Sequence, residues 1–99
     1  MSYNLIIRPE AEEELDEAFT WYESHVPGLG SEFILCIDAV LNAVLRNPLQ
    51  FPHVHRNIRR ALPRRFPYEI FFILDKQRIV VLAVFHAKRN PDIWKQRTN

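Results

Sequence analysis

Residues 68–85 read YEIFFILDKQRIVVLAVF, two apolar runs joined by a short polar link. The first run, Tyr68 to Leu74, and the second, Ile79 to Phe85, are rich in the β-branched and aromatic side chains that favour strands. The link Asp75-Lys76-Gln77-Arg78 allows only a tight reversal of the chain. The stretch therefore predicts an antiparallel β-hairpin.

The first strand of this hairpin is apolar on both of its faces. Ile70 and Phe72 alternate with Phe71 and Ile73, whereas a strand with one solvated face would alternate polar and apolar residues. Helices packed on one side of the sheet can cover only one of these faces. The other face must be covered by the C-terminal tail, by a second subunit or by a partner chain, because apolar patches of that size usually mark an interaction.

Upstream of the hairpin, the sequence predicts one strand and two amphipathic helices. Residues 3–8 alternate as a strand, and Pro9 then opens a helix that runs to about Ser24 with one apolar face. A short turn-forming segment separates it from a second helix, which Ser31 is expected to cap and Asn47-Pro48 to end. The short link predicts an antiparallel helical hairpin.

A further strand is expected from Asn57 to Leu62, after a loop over residues 49–56, and the segment from Asn90 predicts a short helix or a hooked tail. The element order is β-α-α-β-β-β. Helices segregated from antiparallel strands predict an α+β fold, with the helical hairpin packed on one face of a small antiparallel sheet. Because the chain has 99 residues, we expect one domain over residues 1–99.

Charge is distributed unevenly along the chain. Residues 1–50 carry two Lys or Arg against nine acids, whereas residues 51–99 carry eleven against three. A strongly basic half favours a polyanionic partner.

Cysteine usage and hydropathy favour a cytoplasmic protein. Cys36 is the only cysteine, so an internal disulfide is impossible and a reducing compartment fits best. The first residues lack the pattern of a signal peptide, and no apolar run approaches the roughly 20 residues of a membrane span. We therefore expect no membrane partner.

Arginine dominates the basic half: ten of the thirteen Lys and Arg residues are arginine, and five lie between Arg56 and Arg65. Guanidinium groups grip phosphate or carboxylate with paired hydrogen bonds and stack on bases. If they converge on one sheet face, they form a surface for a nucleic acid or an acidic peptide; otherwise they are solvated edge charges. The candidates for such a surface are Arg59, Arg60, Arg64, Arg65 and Arg89.

His86 follows the last predicted strand and lies close in sequence to Lys88 and Arg89. RNA cleavage by attack of the 2′-hydroxyl needs a base, an acid and cations for the developing charge, and a histidine among cations is a candidate base. The simpler interpretation is a strand-end histidine bonded to the backbone.

Two further groups of residues are expected to have no catalytic or metal-binding function. His53 and His55 lack the additional ligands of a metal site, so no metal is expected. The cluster Glu12-Glu13-Glu14 is expected to be a solvated helix face. No glycine-rich phosphate loop is present, and no cofactor is expected.

The order and spacing of short motifs resemble a known family. The motifs that carry the resemblance are Pro9-x-Ala11-x-x-x-Leu15, Trp21-Tyr22, Gly28-x-Gly30-x-x-Phe33, Asn47-Pro48, Ile58-Arg59-Arg60, Arg65-Phe66-Pro67-Tyr68-x-Ile70 and Val84-x-His86-x-x-Arg89-x-Pro91-x-x-Trp94. Together they are similar to the RelE/ParE superfamily of plasmid-stabilisation toxins and cover nearly the whole chain.

The resemblance implies the same β-α-α-β-β-β fold and a cognate antitoxin whose disordered C-terminal segment wraps the toxin. It also implies one of two targets, DNA gyrase for ParE-like members or messenger RNA on the ribosome for RelE-like members. A RelE-like nuclease would use His86 with Arg89 and Arg65. Residues implied in binding phosphate or the antitoxin are Arg59, Arg60, Arg64, Arg65, Tyr68, Arg89 and Trp94.

One departure from the RelE pattern favours the ParE-like hypothesis. The RelE arginine that follows the sheet tyrosine falls at Glu69, and a carboxylate there would repel a phosphate. The leading hypothesis is a growth-inhibiting toxin that blocks gyrase without hydrolytic chemistry. The alternatives are a ribosome-dependent mRNA endonuclease and a non-toxic binding module of the same fold.

Overall fold

The computed structural model describes residues 2–98. Its helices and strands, in chain order, are β1 Asn4–Ile7, α1 Pro9–His25, α2 Leu29–Arg46, β2 His53–His55, β3 Ile58–Ala61, β4 Tyr68–Asp75, β5 Arg78–His86 and α3 Asp92–Lys95, with 3₁₀ turns at Pro48–Gln50 and Gln96–Thr98. The α+β class, the helical hairpin and the β4–β5 hairpin are as predicted from the sequence.

The sheet differs from the prediction in two respects. Its five strands lie in the order β1-β5-β4-β3-β2, and β1 pairs parallel with β5, so the sheet is mixed rather than antiparallel. Parallel neighbours need a long connection, and the two helices and three strands between β1 and β5 supply it. The segment expected to be a loop contributes β2, which pairs antiparallel with β3.

The start of α2 also differs from the prediction. The helix begins at Leu29, two residues before the expected cap Ser31, and Gly28 precedes it at φ 88°. The carboxylate of Glu23, near the end of α1, accepts hydrogen bonds from the backbone N–H of Gly28 at 2.8 Å and of Gly30 at 3.0 Å. A side chain from the preceding helix, rather than a serine, thus accepts from N–H groups at the start of α2.

Gly30 is required by the close approach of α2 to α1. A Cβ atom at this position would lie 2.7 Å from the backbone oxygen of Phe19 and 2.9 Å from its ring. We expect Gly30→Ala to lower the free energy of unfolding by about 1–2 kcal/mol, since overpacking outweighs the better helix propensity of alanine. Urea denaturation measures the change, with exposed Ser31→Ala as the control; a Gly30→Ala variant as stable as the parent would contradict the packing argument.

Apolar residues are buried on both faces of the sheet. On the helix side, Ile70 and Phe72 pack with residues of α1 and α2. On the opposite side, Phe71 and Phe85 are buried beneath Trp94 of α3, whose ring stacks on Phe71 at a centroid distance of 3.9 Å and an interplanar angle of 15°. The sequence left three possibilities for what covers the second face. In the structure, the chain's own C-terminal tail covers it.

Candidate functional site

Three of the predicted site residues lie together in one cleft between α1 and the ends of β4 and β5. Tyr68 and His86 are cross-strand partners, with ring centroids 5.3 Å apart, and Arg89 follows β5. The cleft is open and has a volume of about 550 Å³. This aromatic cleft, as we call it, is lined by Glu14, Glu17, Ala18, Trp21, Tyr22, Pro67, Tyr68, Val84, His86 and Arg89.

The tyrosines of the aromatic cleft are neutral at physiological pH. Burial raises the pKa of Tyr22 above its ordinary value of 10.0. Burial also raises the pKa of Tyr68, and the neighbouring Tyr22 and Glu17 contribute in the same direction. Both hydroxyls therefore stay protonated far above neutral pH and offer hydrogen-bond donors rather than bases.

His86 is bonded to the backbone at the end of its strand. Its Nδ1 accepts a hydrogen bond from the Lys88 N–H at 3.1 Å. In the neutral ring the proton then sits on Nε2, so the remaining ring nitrogen donates a hydrogen bond and has no free lone pair. This hydrogen bond agrees with the simpler of the two interpretations of His86, a strand-end histidine bonded to the backbone.

Arg89 is held by a buried carboxylate that the sequence analysis placed on a solvated face. Glu14 is 9% exposed, and its Oε2 accepts hydrogen bonds from Arg89 Nη1 and Arg97 Nη2, both at 3.1 Å. Its Oε1 accepts from Arg97 Nη1 at 3.1 Å and from the Val84 backbone N–H at 3.0 Å. We call Glu14, Val84, Arg89 and Arg97 the Glu14 clasp.

The Glu14 clasp corrects the expectation for this part of α1. Glu14 lies three residues after buried Ala11 and four before buried Ala18, so it belongs to the apolar stripe of the helix. An acidic residue within the apolar stripe of a helix is therefore the sequence feature that could have predicted this buried ion pair. Arg97, the second residue that sequence reasoning missed, forms a two-bond fork with Glu14 and also donates to the Leu82 carbonyl at 3.0 Å.

Arg59 and Arg60 lie on opposite faces of the sheet, because successive strand residues alternate. Arg59 is the cross-strand partner of Phe72 and donates to the Phe51 carbonyl at 2.6 Å. Arg60 is the partner of Phe71, on the face that Trp94 covers, and pairs with Glu69 at 3.5 Å. The single arginine surface considered in the sequence analysis therefore does not form.

Arg64 and Arg65 lie at a second groove, away from His86 and Arg89. We call it the α2 groove; it has a volume of about 700 Å³ and is lined by Glu32, Leu35, Cys36, Ala39, Val40, Ala43, Leu62, Pro63, Arg64 and Arg65. Leu35 and Leu62 are 67% and 56% exposed, which is unusual for large apolar side chains. Arg65 pairs with Glu32 at 2.9 Å.

Among residues 2–98, no group of three His, Cys, Asp or Glu side chains is placed to hold a metal ion. His53 and His55 lie on β2, and His55 packs edge-on against Trp94 at a centroid distance of 6.2 Å. Within the same range, no helix combines the length and the hydropathy needed to cross a membrane.

The chain is similar to toxins of type II toxin–antitoxin systems. Residues 5–91 match the family described as the ParE toxin of the type II toxin–antitoxin system parDE. Two relatives, both Toxin ParE2, come from Mycobacterium tuberculosis strains CDC 1551/Oshkosh and ATCC 25618/H37Rv. Each is 28% identical over 93 residues, which are 93% of this chain and 89% of the relative. The chain belongs to the ParE toxin family.

A solved structure supports the fold. The structure described as the chromosomal ParDE TA system from P. aeruginosa superposes with a TM-score of 0.78 at 16% identity, covering 88% of this chain and 98% of that one. The resemblance to RelE/ParE toxins is thus confirmed. The protein is a type II toxin of the ParE type, and membership of that family implies an antitoxin partner.

Proposed function

We propose that this toxin inhibits growth by blocking DNA gyrase and does not cleave RNA. The observation that carries the proposal is that arginines implied in nuclease catalysis or in phosphate binding are paired with carboxylates of this chain. Arg89 pairs with Glu14, Arg65 with Glu32 and Arg60 with Glu69. The carboxylate beside each guanidinium group opposes the attraction of that group for a developing phosphorane.

The positions of the candidate catalytic groups support the same proposal. Arg65 lines the α2 groove, whereas His86 and Arg89 line the aromatic cleft, so the three do not surround one phosphate. The His86 Nδ1 lone pair is occupied by a backbone N–H, so this nitrogen is not available as a base for a 2′-hydroxyl. Gyrase is the target that the ParE-like branch of the superfamily implies, and such a target places the toxin in the cytoplasm.

Two assays on the wild-type protein separate the targets. We expect induction in a bacterial host to stop growth and induce the SOS response, and the purified toxin to abolish supercoiling by gyrase while transcripts stay intact. Coexpression of the antitoxin is the control and should restore growth. Codon-phased cuts in ribosome-bound mRNA would overturn the proposal, and His86→Ala would then lower cleavage by about 10²–10⁴-fold. Absence of a growth defect would leave only the non-toxic binding module.

We further propose that the antitoxin's C-terminal segment, disordered before binding, lies in the α2 groove. The outward stripe of α2 is apolar where a surface helix is usually polar, with Leu35, Ala39 and Ala43 spaced by four residues. Arg64 stands exposed at the rim beside Arg65. An amphipathic segment with carboxylates on one side matches both features.

A further inference from the structure

We propose that the aromatic cleft receives the guanidinium group of an arginine from a partner protein. The inference concerns recognition and does not depend on gyrase being the target. The sequence instead offered Tyr68 and Arg89 as candidates for binding phosphate or the antitoxin, and His86 as a candidate catalytic base.

Three aromatic rings, those of Trp21, Tyr22 and Tyr68, line the cleft. Trp21 is 56% exposed, and the His25 ring stacks against it at a centroid distance of 4.0 Å and an angle of 27°, which holds the indole in place. Tyr22 stands perpendicular to Trp21 at 5.2 Å, and Tyr68 stands at 61° to Tyr22 at 6.2 Å. Rings at different angles surround a cation better than they stack a row of bases, because each face carries negative quadrupole density.

The charges around the cleft also favour a cation. Glu17 lines it, is exposed, and forms no ion pair among the described residues. Burial is the main cause of the raised pKa of Tyr68, followed by Tyr22 and then by the charge of Glu17. The Glu17 carboxylate is therefore close enough to Tyr68 to interact with it electrostatically. Among the described residues that line the cleft, Glu14 and Glu17 are carboxylates and Arg89 is the one Lys or Arg.

Arg89 is itself paired within the chain. Its guanidinium donates to Glu14 Oε2 at 3.1 Å and lies over the Phe85 ring, with Cζ 4.1 Å from the centroid. Both contacts hold the charge against the floor of the cleft. An anion entering there would face the unpaired carboxylate of Glu17, whereas a guanidinium can stack on Trp21 and pair with Glu17.

A titration of the full chain tests the inference. The probe is N-acetyl-arginine methylamide, and its control is the citrulline analogue, which has nearly the same shape and no charge. We expect saturable NMR shifts at the Trp21 indole N–H and the Tyr68 ring with the arginine probe, and at least tenfold weaker binding of the citrulline probe. Trp21→Ala and Glu17→Gln should each weaken binding at least fivefold, while Glu12→Gln, exposed on another side of α1, should leave it unchanged.

Equal binding of the two probes, or shifts that do not saturate, would overturn the inference. The same Trp21 and Glu17 variants then identify the source of the arginine. A loss of antitoxin affinity assigns it to the antitoxin, and a loss of gyrase inhibition assigns it to the target. Unchanged behaviour in both assays would also count against the cleft as a recognition site. Gyrase inhibition by the wild-type toxin is measured separately, so the two proposals can fail independently.

Discussion

Glu14→Ala is expected to lower the free energy of unfolding by about 3–5 kcal/mol, the cost of removing one partner from a buried ion pair. Arg97, whose side chain is 16% exposed, would lose both bonds of its fork with Glu14. The backbone N–H of Val84 would lose its acceptor. Because single domains are stable by about 5–15 kcal/mol, the change removes a large share of the total.

The matched control for this variant is the adjacent Glu13→Ala, at an exposed position of the same helix, which should change stability by less than about 0.5 kcal/mol. Arg97→Lys keeps the charge but loses the fork, and an intermediate loss is expected if the paired hydrogen bonds matter. Chemical denaturation of all three variants gives the comparison. A Glu14→Ala protein within about 1 kcal/mol of the parent would show that the Glu14 clasp contributes little.

The Glu14 clasp also explains how the second face of the sheet is covered. Arg97 joins the tail to α1 through Glu14 and to β5 through the Leu82 carbonyl, and Arg8 donates to the Arg97 carbonyl at 3.1 Å. Both Arg89 and Arg97 lie over the Phe85 ring. Loss of Glu14 should therefore loosen the tail and expose Phe85, which can be followed as faster amide exchange in β5.

Leu35→Lys is expected to weaken antitoxin binding by at least about 30-fold, or 2 kcal/mol, the size typical of a buried interface hot spot. Leu35 is the most exposed large apolar side chain of the α2 groove, so the substitution removes apolar contact without opening the toxin's own core. It also places a charge where an apolar side chain of the partner would lie. Calorimetry with the cognate antitoxin measures the change.

Leu49→Lys is the control for Leu35→Lys, because Leu49 is 62% exposed but lies on the 3₁₀ turn outside the α2 groove. Arg64→Gln should weaken binding by a smaller factor that shrinks at high salt, as expected for an exposed charge. If Leu35→Lys bound the antitoxin within twofold of the parent, the antitoxin segment would have to lie elsewhere. The gyrase proposal would be unaffected by that result.

Most of the arginines that the sequence offered as binding residues are bonded within the chain. Of the five candidates, Arg59 is bonded to a backbone carbonyl, and Arg60, Arg65 and Arg89 are paired with carboxylates of this chain. Much of the basic half is thus balanced internally by carboxylates, including Glu14 and Glu32 from the acidic half. The charge asymmetry seen in the sequence reflects pairing across the fold as much as an anionic partner.

The sequence by itself determined most of the elements and the family. The period-two and helical patterns are set by neighbouring residues, so the β4–β5 hairpin, α1 and the end of α2 before Pro48 agree with the structure within one or two residues. The alternation of Arg59 and Arg60 across the sheet was also available from the predicted strand.

Only the tertiary structure decided which charges are paired and what covers the sheet. Glu14 and Arg97 are separated by 83 residues, and local spacing marks Glu14 as buried but cannot name its partner. Local spacing likewise does not predict the parallel pairing of β1 with β5, the stacking of Trp94 on Phe71, or the capping of α2 by Glu23. Periodicity is a property of a few consecutive residues, whereas an ion pair, a strand neighbour or a stacked ring depends on how distant segments meet.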